Sequence, residues 1–144
     1  MKIKKKKMKI LVTILIGIML FVSSMLTAQK QRITVHMENI STDKGTVKFA
    51  LYDETNFLLQ PLQSVTAKIF AGKTSIVFKE VIPGSYAIVC YHDKNDNNQM
   101  DFQSNGMPLE DYGSSNNVMS YGPPNFEAAK FIVTDKNIVL NIRF

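Results

Sequence analysis

The feature that most restricts the fold is a set of apolar residues spaced two apart. Ile33, Val35 and Met37 alternate with Arg32, Thr34, His36 and Glu38. In an extended chain that spacing puts every apolar group on one face, so the segment reads as a half-buried strand. The pattern recurs at Val47, Phe49 and Leu51, at Val65, Ala67 and Ile69, at Ile76 and Phe78, and at Ile138, Leu140 and Ile142. Turn formers separate these segments: Ser41-Thr-Asp-Lys-Gly45, Ala71-Gly72-Lys73, Ile82-Pro83-Gly84-Ser85 and Asp135-Lys136-Asn137. Pairing across the first and last of these turns predicts a hairpin near each end of the domain. No segment carries a helical period. Pro61 argues against a continuous helix over 53–64, where Phe57, Leu58 and Leu62 are expected to cap one end of the core. With Tyr86–Tyr91 and Lys130–Thr134 the count is seven strands. The sequence therefore predicts an all-β protein, a seven-stranded antiparallel sandwich of immunoglobulin-like or prealbumin-like type, with a long ordered loop after the fifth strand.

The fifth strand, Tyr86–Tyr91, is apolar on both sides, as a central strand covered on both faces would be. From Cys90 to Phe126 the chain then turns to Asn, Asp, Gly, Ser and Pro, interleaved with Phe102, Met107, Leu109, Tyr112, Tyr121 and Phe126. Large apolar groups at such intervals predict that the loop lies down on the outer face of the fifth strand.

The start of the chain reads as a leader. Six lysines before residue 10 precede a 13-residue apolar run, Ile10–Val22, and a small-residue stretch ends at Ala28. That order is the signature of a secretory signal peptide over 1–28, leaving 29–144 as one β-sandwich domain. The run is shorter than the roughly 18–20 residues of a membrane-spanning helix, so no membrane span is expected after cleavage. Of 17 basic residues six lie in the leader, which contains no acid; the remaining 11 face 12 acidic residues. The net charge of +5 thus belongs to the leader. A nucleic-acid partner is excluded for want of a basic surface. The single cysteine, Cys90, cannot form an internal disulfide, so packing must hold an exported domain together. These features predict export to the periplasm, cell surface or medium, and a monomer.

Further motifs fall in order along the chain. Pro83-Gly84-Ser85-Tyr86-Ala87 leads to His92-Asp93-Lys94-Asn95, then Asp101, and then Gly106-Met107-Pro108-Leu109-Glu110. Tyr112-Gly113-Ser114-Ser115-Asn116, Gly122-Pro123-Pro124-Asn125-Phe126 and Ala129-Lys130-Phe131 follow. This series resembles the bacterial domain-of-unknown-function family 2141, small exported proteins for which a β-sandwich is expected and to which no activity is attached. The resemblance spans most of the chain after the leader. It departs near Asn98, where the family often carries the Gly of an Asn-Gly turn.

Within the loop, Asp93, Asn95, Asn97, Gln99 and Asp101 alternate, and alternate positions of a tight turn can deliver oxygens to a hard cation such as Ca2+. Two features weaken that reading: Asn98 where a sharp turn favours Gly, and Ser104 where a bidentate Glu would close the site unless Glu110 or Asp111 folds in. A plain Asx-rich turn bonding its own backbone is the competing explanation. With few charges, any Ca2+ binding belongs to the weak class of about 10⁻⁴–10⁻³ M. Tyr112, Tyr121, Phe126 and Glu110 are candidates for contacting a ligand, either a protein or a glycan of the cell envelope. The reading is non-catalytic. The alternative is a small envelope hydrolase using the Cys90/His92 pair or the carboxylates Asp101, Glu110 and Asp111. Against it, Cys90 among Ile88, Val89 and Tyr91 reads as a small buried hydrophobe, and His92 is expected to bond a loop carbonyl. Tyr86, just past Pro83-Gly84, is expected to close the turn.

Overall fold

A computed structural model describes residues 29–118 and 122–144; the leader assigned to 1–28 and the ligand candidate Tyr121 lie outside the described residues. The protein is all-β and forms two sheets. The strands are β1 (Gln31–Met37), β2 (Thr46–Tyr52), β3 (Gln63–Lys68), β4 (Thr74–Val81), β5 (Gly84–Asp93), β6 (Tyr112–Ser114), β7 (Phe131–Val133) and β8 (Ile138–Ile142). Seven of them fall on the expected segments. The eighth, β6, arises inside the long loop. It pairs with β5 through Val89–Ser114, Cys90–Gly113 and Tyr91–Tyr112. Gly113 makes this possible, because a Cβ there would collide with the Arg143 carbonyl.

The smaller sheet runs β4-β1-β8 and the larger runs β3-β2-β5-β6, with β7 also on β5. Neither expected terminal hairpin forms. β1 and β2 lie in different sheets, and β8 pairs with β1 in parallel rather than with β7. The inward faces account for this. Ile33, Val35 and Met37 must meet Val47, Phe49 and Leu51 across the core, which side-by-side strands in one sheet do not permit. Gly45 makes the crossing, with a φ of +74° and so close a pass over the Asp93 carbonyl that no side chain fits.

One core fills the space between the sheets, and Phe49, Phe78, Ile33, Met37, Leu51 and Ile88 are fully enclosed in it. Burying each such side chain contributes roughly 1.5–3 kcal/mol. In β4 the alternation slips by one residue at Lys79-Glu80, where Glu80 has a φ of +57°. The resulting bulge brings Val81 back inward opposite Gln31. Tyr86 closes the preceding turn as expected, its hydroxyl donating to the Ile82 carbonyl at 2.9 Å.

A second small cluster sits on the outer face of β5. Ala87 is covered there by Phe126 and Ala129 of a one-turn helix, α1 (Phe126–Ala129), together with Phe57. Tyr52, Phe57 and Phe126 stack edge to face at 5.6 and 5.5 Å. Phe57 therefore packs outside the sandwich, and Leu58 and Leu62 are 44% and 46% exposed rather than capping the core.

Candidate functional site

The loop after β5 is shaped by carboxylates more than by apolar contact. Asp93, the last residue of β5, is fully buried. It accepts hydrogen bonds from the backbone N–H groups of Asn97 (3.1 Å) and Asn98 (2.9 Å), and Lys48 Nζ stands 3.7 Å away. A buried carboxylate needs such donors to offset its lost hydration. They fold residues 93–98 into a tight turn, with Asn98 at a φ of +64°. That is the left-handed conformation, which Asn adopts more readily than most residues.

The alternating side chains do converge. Asn95 Nδ2 donates to Asp101 at 2.7 Å, Asn97 Nδ2 donates to both Asp101 oxygens at 3.0 Å, and the Asn97 Oδ1 accepts from Gln99 N at 2.9 Å. Asp101, Asn95 and Asn97 thus share one small space with the Asp93 turn behind it. Gln99 enters only through its backbone. Among the described residues no three His, Cys, Asp or Glu side chains gather closely enough to hold a metal ion by themselves. A cation here would depend on amide and carbonyl oxygens.

Glu110 is turned inward rather than toward a ligand. It is buried and accepts from Lys94 N (2.9 Å) and Asp101 N (3.3 Å), joining the two ends of the turn. Between them, Asp101–Leu109 forms a small protruding hairpin, with Phe102 bridging to Pro108 and Leu109 N bonded to the Asp101 carbonyl. The expectation that this part of the loop lies on the sheet fails. Phe102, Met107 and Leu109 are 55%, 58% and 57% exposed. Among the described residues, only Phe126 of the interleaved apolar groups is buried, and it packs against Phe57 and Ala87, out of reach of a ligand. Tyr112 stands half-buried on the outer face, its hydroxyl donating to the Gly122 carbonyl.

The Cys90/His92 pair faces the core. Both residues are fully enclosed, and burial pushes the Cys90 thiol far up from its ordinary value. His92 Nε2 donates to the Lys44 carbonyl at 2.7 Å, the loop carbonyl expected for it, and its ring stacks on Phe144 at 6.0 Å. Its Nδ1 has no partner among the described residues. Asp111 is occupied by Lys94 Nζ at 2.9 Å.

Residues not singled out from the sequence hold the loop's far end. Ser115, fully buried, accepts from Ile88 N at 3.0 Å and donates to the Ala129 carbonyl. Asn117 donates to the Asn141 carbonyl and accepts from Arg143 N, imitating a neighbouring strand for the edge of β8. The sequence signal for Ser115 was its place in the Tyr-Gly-Ser-Ser-Asn motif, which Asn117 follows by one residue.

Fold and site together define a small all-β protein whose signature residues build an ordered loop on one sheet. The chain matches, over residues 35–141, the family described as an uncharacterized protein conserved in bacteria, DUF2141, and it belongs to that family. No curated protein and no solved structure matches it.

Proposed function

We propose that the protein is an exported, non-catalytic module of the bacterial envelope, an immunoglobulin-like or prealbumin-like sandwich whose ordered loop serves recognition and whose 93–101 turn takes up Ca2+. The carrying observation is the convergence of Asp101 with the Asn95 and Asn97 amides at 2.7–3.0 Å, above a turn whose backbone is already held by Asp93. Rotating either amide by half a turn exchanges its nitrogen for its oxygen and offers a cation ligand beside Asp101, at the cost of the backbone bond that the oxygen now accepts, from Asn97 N at Asn95 and from Gln99 N at Asn97. The protruding hairpin supports recognition: three large apolar side chains held open to solvent on a braced loop form a contact surface. The hydrolase alternative lacks comparable support, since Cys90 is sealed in the core and Glu110 and Asp111 are occupied in holding the loop.

The test is a thermal melt in 1 mM Ca2+ against a chelator. With a dissociation constant near 0.1 mM, stabilisation is about 1.4 kcal/mol, a rise of roughly 5–10 °C for a domain of this size. Asp101→Ala removes the rise. An unchanged midpoint in the native chain ends the Ca2+ assignment.

A further inference from the structure

The outer face of the larger sheet carries a groove that the described residues of the loop leave open. Its floor is Ala50 and Val89, directly paired on β2 and β5. Tyr52 and Tyr91 lie diagonally across that floor, and Ser64 and Thr66 of β3 form the far side. The volume is about 320 Å³, within the range of small-ligand sites. One wall is braced from behind, because Tyr52 packs edge to face on Phe57, which packs in turn on Phe126.

Polarity and charge select the occupant. Tyr52 and Tyr91 are half-buried and Ser64 and Thr66 exposed, so the groove is lined by four hydroxyl-bearing side chains set among apolar carbon. An apolar ligand would strip water from those hydroxyls and return no hydrogen bonds. A charged ligand finds no free counter-charge. The lining cation, Lys48, donates to Asn98 Oδ1 at 2.6 Å and faces the buried Asp93 carboxylate. What remains is a neutral molecule with apolar C–H faces to lie on tyrosine rings and many hydroxyls at its rim. We infer that this groove binds a neutral oligosaccharide. The inference rests on the reading of the protein as a binding module but not on Ca2+, and it places the ligand on the sheet rather than on the protruding hairpin.

The probe is a panel of soluble neutral polysaccharides, β-glucans, α-glucans, mannans and galactans, each cast into a native gel through which the purified protein migrates. At least one retards it. Tyr91→Ala weakens that retardation on the order of tenfold, as expected for loss of one aromatic platform. Thr66→Arg, at an exposed position clear of the core, obstructs the groove and abolishes retardation while leaving the melting temperature in place. Val139→Ser, at an exposed position on β8 of the other sheet, leaves it unchanged. Retardation lost in Phe102→Ser with Met107→Ser and kept in Thr66→Arg overturns the groove while sparing the binding-module reading. Free migration through every polysaccharide overturns the oligosaccharide itself.

Discussion

At the scale of single residues, the loop depends on a few polar groups that satisfy backbone rather than substrate. Asn98 shows this most directly, because its left-handed φ of +64° and its side-chain bond to Lys48 can be separated by substitution. Asn98→Gly and Asn98→Ala both lose the side-chain bond, but only alanine must be forced into that conformation. The glycine variant is therefore expected to be the more stable by about 1 kcal/mol, roughly 5 °C in melting temperature. Equal midpoints would mean that the turn does not hold this geometry in solution. The position was legible beforehand because a sharp turn in an Asx-rich segment favours Gly or Asn. Phe126 covers the outer face of β5 as the loop was expected to, whereas Phe102 does not, since an aromatic ring in a polar loop looks the same in sequence whether it faces the fold or the solvent.

At the scale of elements, alternation located five strands and two more were read without it, Tyr86–Tyr91 from its two apolar faces, but β6 was missed. Three residues containing a glycine carry no period of their own. Tyr112–Ser114 is a strand because β5 offers it a free edge and Gly113 lets Arg143 pass. Ser115, which follows it, links β5 to the end of α1. Ser115→Ala leaves Ile88 N without an acceptor in a dry site, a loss of about 2 kcal/mol. Amide exchange should then quicken around Phe126–Ala129 before it does in β1 or β4. Uniform acceleration across all strands would show instead that α1 is not a separate opening unit.

At the scale of the molecule, the two sheets seal Cys90 between them, which links its protonation to folding. Burial raises the thiol well above its ordinary 9.0, so the folded state keeps the proton where the unfolded chain releases it. The stability is fully present below pH 9 and declines as pH rises beyond it, by about 1.4 kcal/mol at pH 10. The fall in melting temperature between pH 8 and pH 10 should be clearly smaller in Cys90→Ala. An identical fall in both chains would place solvent, or a charge, beside the sulfur.

The sequence by itself determined that the chain is all-β, where seven of its strands run, that the outer face of β5 carries apolar residues of which Ala87 is covered, and that residues 93–101 form an Asx-rich turn. These follow from local rules: two-residue periodicity, turn chemistry, and the preference of short polar side chains for nearby backbone. Only the tertiary structure decided which strands pair, because side-by-side and face-to-face packing bury the same apolar faces and differ only in geometry. It also decided that the loop's apolar residues divide between cover and display. Ala87 leaves a hollow that Phe126 fills, and past it the carboxylates of Asp93 and Glu110 hold the turn upright, so Phe102, Met107 and Leu109 never reach the sheet.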